Sequence, residues 1–187
     1  MNESLKLLQR QSTPAKALAD PAPDDRQLRQ ILKIALSAPD HGRLHPYRFI
    51  SIRGDARYRL SEIFGKATQR RDPGVDPAYL QKQKDKPLRS PLIVVVVASP
   101  IESPKIPEIE QILSAGAAAH NVLLAANALG FGSIWLTGAN AYDDYVRSEL
   151  GLDDGEKIVG FIYIGTPTLD FPPRPIPEVS THHTRWD

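Results

Sequence analysis

No cysteine occurs among the 187 residues, which removes disulfides, thiolate metal sites, cysteine nucleophiles and iron–sulfur clusters together. Nor is there an excess of either charge. With 23 basic against 22 acidic side chains the net charge is +1, so neither nucleic acid nor an anionic membrane surface is an expected partner. Long apolar runs are missing too: PLIVVVVA at 91–98 is far short of the about 20 residues a helix needs to cross a bilayer. The opening MNESLKLLQRQS lacks a basic region, an apolar core and a small-residue cleavage site, so it does not read as a secretory signal. A soluble, cytoplasmic protein is the expectation.

The usual catalytic signatures are scarce. There is no GxxxxGK[ST], and GFGS at 130–133 lies after a helical segment and before a strand, the reverse of a Rossmann turn. Gly130 and Gly132 read instead as a helix C-cap and a tight turn. No GxSxG marks a nucleophile. His41 and His45 are four apart, but Pro39, Gly42 and Pro46 prevent the regular helix that would place both on one face. His182 and His183 are adjacent in a proline-rich tail, where neighbouring side chains point apart. No metal site is expected.

What is present is an alternation of helix and strand. Leu5, Leu7 and Leu8 indicate a short helix ending near Ser12 before Pro14. Asp24 and Asp25 offer an N-cap for RQLRQILKIALS, with Leu28, Ile31, Leu32, Ala35 and Leu36 as its apolar stripe. YRFISIRG at 47–54 alternates as a strand does, and a helical period follows it. SPLIVVVVASP is a β-branched run suited to a central strand buried on both faces. A long helix over 107–129, a strand over 132–138, a short helix in YDDYVRSELG and a strand over 156–167 complete the pattern. RDPGVDPAYLQKQKDKP at 71–87 is charged and proline-broken, which predicts an irregular flap or excursion. Residues 168–187 predict an extended C-terminal arm. Together these give one domain over 1–187 in the α+β class. The arm, and small residues packed into SAGAAAHNVLLAANALG, favour an intertwined homodimer.

Arg10-Gln11-Ser12 combines a guanidinium, an amide and a hydroxyl just before a chain break. Such a triplet suits a phosphate or an imide edge, or is simply an exposed helix end. Taken in order, LLQRQS at 7–12, APDHGRLHPYRF at 38–49, KIPEIEQ at 105–111, SAGAAAHNVLLAANALGFGSIW at 114–135 and KIVGFIYIGTP at 157–167 resemble the nitroreductase family of flavoproteins. The similarity is greatest to its short, YdjA-like branch of NAD(P)H nitroreductases.

The resemblance implies a three-layer α-β-α sandwich and a homodimer with two FMN sites at the subunit interface. It implies that Arg10, Gln11 and Ser12 contact the ribityl phosphate and pyrimidine side of FMN. Ser37 and His41 would come from the partner's loop, with His41 as a donor, and Trp135, Leu136 and Thr137 would lie beside the flavin ring. It implies no catalytic acid–base residue, since a flavin brings its own redox chemistry and the protein supplies binding and orientation. NAD(P)H would be the reductant and a nitroaromatic or quinone the acceptor, in a ping-pong scheme. A flavin reductase, a dehalogenase-like enzyme of the same fold and a non-catalytic flavin-binding protein remain open alternatives. Gln11 departs from the family's commoner second arginine, and Asp40-His41 stand where serines are frequent. Ser114, Ala115, Ala118 and Ala119 share one side of the long helix, which suits a close helix contact in the dimer core.

Overall fold

A computed structural model describes residues 10–172 and 174–187. The predicted first helix falls almost wholly outside them. Arg10 and Gln11 have no regular structure, and Ser12 forms a parallel bridge with Ser133 instead of ending a helix.

The run LIVVVVA becomes β3 (Leu92–Ala98), and every residue in it is inaccessible to solvent. It pairs antiparallel with β2 (Tyr47–Arg53) on one side and with β5 (Lys157–Pro167) on the other. β4 (Gly132–Leu136) lies on β5's far side, giving the order β2-β3-β5-β4, and the two-residue β1 (Leu18–Ala19) pairs with the end of β5. All four strand pairs are antiparallel. Between Val96 and Val97 the β3–β5 register shifts, so that Val159 has no partner on β3.

Strand alternation divides the core in two. Ile93, Val95 and Val97 face Leu60, Phe64 and Ala67 of α2 (Ala56–Arg71) and Val146 of α5 (Asp144–Glu149). Leu92, Val94 and Val96 face Leu28, Ile31 and Ala35 of α1 (Asp25–Ala35) and Ala119, Val122 and Ala126 of α4 (Glu108–Ala128). The result is the expected three-layer α-β-α sandwich. Asp24 caps α1 as expected. Its carboxylate accepts from the Gln27 amide at 2.7 Å, while the Gln27 side chain accepts from the Asp24 amide at 3.0 Å.

Two expectations are corrected. Residues 71–87 are not irregular: α3 (Pro77–Lys84) starts at an Asp76 cap, with Pro77 at its first position, and packs on α2. Gly65 leaves room there for the Lys84 stem, whose ammonium meets Glu62 at 2.7 Å. The Asp-Pro pair, read as a breaker, is a helix start. The small residues of α4 do not form a free face either. Ser114, Ala115, Ala118 and Ala119 are all buried within the chain, where they let α4 lie close against the sheet and α1.

A charged node ties strand ends together. Arg48 on β2 makes a two-pronged contact with Glu156, Nε and Nη2 each donating at 2.7 Å, and Nη2 also donates to the Gly151 carbonyl at 3.0 Å. Ser99 Oγ and the Asp153 amide donate to the same carboxylate. The Arg48 hydrogen bonds hold the Glu156 carboxyl at about 2, well below its ordinary value, with Ser99 and Asp153 assisting against the burial that opposes them.

Ala118→Leu is expected to overpack the protomer core and lower unfolding stability by about 1–3 kcal/mol in urea titrations. Because Glu156 has a depressed folded value, its contribution is complete above about pH 4.5 and disappears as pH falls toward 2. Glu156→Gln should therefore cost on the order of 2 kcal/mol at pH 7 and flatten the acid limb of a stability–pH curve.

Candidate functional site

The chain leaves α1 through a turn in which Ser37 Oγ donates to the Ile34 carbonyl at 2.7 Å. A single 3-10 turn follows over His41–Arg43, and three residues there take left-handed backbone: Gly42 (φ 74°), Arg43 (φ 56°) and His45 (φ 50°). Arg43 and His45 are the only non-glycine residues with positive φ among the described residues. Strain of this kind persists only where the surroundings hold it, and it concentrates at functional loops.

The restraints can be named. Asp40 accepts from the His45 amide at 2.7 Å, and His41 Nδ1 lies 2.6 Å from Glu110 Oε2 on the first turn of α4. Gly42 presses against Ile106, leaving no room for a Cβ. Gln111, almost completely buried, fastens the segment leading into α4: it accepts from the Ile101 amide and donates to the Ile101 and Ile106 carbonyls. His41 and His45 thus turn to different carboxylates, Glu110 and Asp40. The Tyr47 hydroxyl is buried without a partner among the described residues, and burial, with Asp40 nearby, pushes its ionisation up.

The remaining candidates gather along β4. Ser12 bridges Ser133, and the Thr13 amide donates to the Ser133 carbonyl at 2.9 Å, which fixes Arg10–Ser12 beside the strand's first residues. Gln11 donates one side-chain amide hydrogen to the Phe171 carbonyl at 2.9 Å, which ties it to the root of the C-terminal arm. Gly130 caps α4 with φ 84°, as the sequence implies, whereas Gly132 is needed for close approach: a Cβ there would meet Leu18 and Thr13 at 2.8 Å.

At the other end of β4, Trp135 Nε1 donates to the Val159 carbonyl at 3.1 Å, where the β5 bulge leaves that residue unpaired with β3. Its indole lies over Gly160, which has no side chain to obstruct it. Leu136 is half-buried and Thr137 is exposed, and a 3-10 turn over Ala139–Tyr142 follows. A hollow of about 370 Å³ opens beside this turn, lined by Ile112, Ala141, Tyr142, Glu156, Ile158 and Val159.

Ser133 and Thr137 are four strand residues apart, about 13 Å. Along that distance stand a guanidinium, an amide and a hydroxyl at one end and strand-end backbone at the other. Among the described residues no hydrogen bond or ion pair joins Ser37 or His41 to either group. The loop instead rests on the start of α4. A separate hollow of about 510 Å³ between β2, α2 and α5 is lined by none of these residues.

The model of the nitroreductase family matches residues 7–166. The chain belongs to this family. It is 41% identical over 155 residues to the Escherichia coli (strain K12) protein named "Putative NAD(P)H nitroreductase YdjA", which covers 83% of this chain and 84% of that one. A nitroreductase-like family protein from Bacillus cereus shares the fold with a TM-score of 0.82 at 21% identity, over 100% of this chain and 97% of the other. A Desulfovibrio desulfuricans structure, described as a putative nitroreductase in complex with FMN, aligns with a TM-score of 0.73 at 24% identity, over 100% of this chain and 99% of that one. Membership places the chain among oxidoreductases.

KIPEIEQ was legible as a family segment, yet the tasks of Glu110 and Gln111 were not, because each acts on a loop distant in sequence. Gly42→Ala should be destabilising by about 1–2 kcal/mol, since it adds a Cβ against Ile106 at a left-handed position; urea titration and the resonances of the 39–47 loop provide the measurement.

Proposed function

We propose that the chain is a cytoplasmic, FMN-dependent oxidoreductase passing electrons from NAD(P)H to nitroaromatic or quinone-type acceptors, and that it works as an intertwined homodimer. The observation that carries this reading is the divided donor set. Arg10–Ser12 and Trp135–Thr137 stand at the two ends of one strand, while in the same chain Ser37 and His41 turn to the Ile34 carbonyl and Glu110 and, among the described residues, bond to neither group. A ligand with an anionic phosphate at one end and a flat, hydrogen-bonding ring at the other fits the strand, and the loop of a second copy completes the enclosure.

The residues divide the work. Arg10 and the Ser12 hydroxyl hold the phosphate side, and Gln11 stabilises that segment through Phe171 while its second amide hydrogen and its carbonyl oxygen stay available to a ligand. Trp135, Leu136 and Thr137 present the strand end to the ring. Ser37 and His41 come from the partner. When bound, FMN supplies the two-electron chemistry, first with NAD(P)H and then with the acceptor, in a ping-pong sequence. The 370 Å³ hollow beside the Ala139–Tyr142 turn has the size of a small-molecule site and suits an aromatic acceptor.

For the dimer, the outer face of α4 replaces the buried alanines. Ile109 and Leu113 are 60% and 64% exposed, and Gly116, Ala117 and His120 continue the same stripe. The arm leaves Leu169, Ile176, Val179 and Trp186 exposed, which a wrapping contact with a second copy would cover.

Purified protein should be yellow or take up FMN. Anaerobic NADH or NADPH should bleach it, and a nitroaromatic or quinone should restore the colour. A chain that cannot be loaded with FMN defeats the proposal, and a flavin that stays oxidised makes the protein a carrier. His41→Ala should weaken FMN retention more than His45→Ala, by about tenfold against little change in ultrafiltration assays.

A further inference from the structure

Among the described residues, Glu110 is the only side chain that hydrogen-bonds the side chain of a proposed flavin-contact residue. The contact is 2.6 Å long and both partners are partly exposed, His41 more than Glu110. Both ends are fixed independently. Gln111, next to Glu110, clamps Ile101 and Ile106, and Ile106 backs the Gly42 turn that carries His41. His41 Nε2 has no partner among the described residues.

An ionised carboxylate only accepts, so the hydrogen in this contact belongs to Nδ1. In the neutral ring, Nε2 then carries a lone pair. We propose that Glu110 is a positioning residue that locks His41 in the Nδ1–H tautomer and turns Nε2 outward as an acceptor for an N–H or O–H of the flavin held by the partner subunit. This rests on the flavin reading above, and it replaces the donor role that the family resemblance implied for His41. Oxidised FMN offers such donors in its ring imide and its ribityl hydroxyls. Neutral histidine free in water favours the opposite tautomer, so the carboxylate supplies the discrimination.

The test uses the full, 15N-labelled chain, with and without FMN, at about pH 8.5, some two units above the ordinary histidine value. Long-range 1H–15N spectra report which ring nitrogen carries hydrogen, with His41 assigned by its loss in His41→Ala. The wild type should show Nδ1–H at His41. Glu110→Gln should retain it, because an amide oxygen also accepts. Glu110→Ala should switch His41 to Nε2–H and raise the FMN dissociation constant about tenfold, with the Glu110→Ala/His41→Ala double variant no weaker than His41→Ala alone. Nε2–H in the wild type, an unchanged tautomer in Glu110→Ala, or additive losses in the double variant would overturn the proposal. The wild-type spectrum decides even if the alanine variant does not fold. A chain with the Glu110-dependent tautomer that takes up no FMN supports the pair and overturns the flavin reading alone.

Discussion

Seven consecutive residues of β3 without solvent exposure impose most of this architecture. A strand buried on both faces needs a hydrophobic layer on each, and its backbone needs a hydrogen-bonding neighbour on each side. The layers are α2 and α5 on one face and α1 and α4 on the other. The neighbours are β2 and β5. The alanines of α4 follow from the same demand. A long helix laid over a β-branched surface packs closely only if its inner face is small, and Ala115, Ala118, Ala119, Ala125 and Ala126 supply that face.

The site elements inherit their places from this core. β5 is held by β3 over most of its length, and at its bulge the Trp135 indole donates to the carbonyl of Val159, the residue left without a β3 partner. The Arg48–Glu156 node joins β2 to the turn entering β5, and Glu156 itself lines the hollow beside the Ala139–Tyr142 turn. A buried carboxylate with an arginine fork and two further donors is costly to strip of its partners because Glu156 would keep its charge in a poorly hydrated place, whereas the Arg48 guanidinium reaches solvent. Such a node fixes the base of a site better than it adds net stability.

Strong local patterns made the fold legible. The β3 run, the Asp24 cap, the alternation of β2 and the Gly130 stop each carry their meaning within a few residues, and each appears where its chemistry implies. α3 was obscured because proline breaks a helix interior but starts one equally well, and only the Asp76 cap distinguishes the two. The inward face of the alanines was obscured for a related reason. Small residues signal close approach without naming the partner, and a sheet of the same chain satisfies them as well as a second helix. At the site, residue types were readable and pairings were not: nothing near His41 in sequence points to Glu110, and nothing near Gln11 points to Phe171.

The strained loop bears on why such a site should be divided between chains. Left-handed backbone at Arg43 and His45 costs free energy that Asp40, Glu110 and the Gly42–Ile106 contact must offset within the protomer. The loop is therefore shaped before any partner or ligand arrives, and association need not bear the cost of ordering it. On the proposed reading, a cofactor held by one chain and covered by the other binds the dimer more tightly than either protomer, so flavin and dimer stabilise each other through a shared free energy. That linkage places the selectivity of the site in preformed geometry, with no acid–base pair required. The positions most sensitive to change are then the restraints behind the loop, at Ile106, Glu110 and Gln111, as much as the residues that face the ligand.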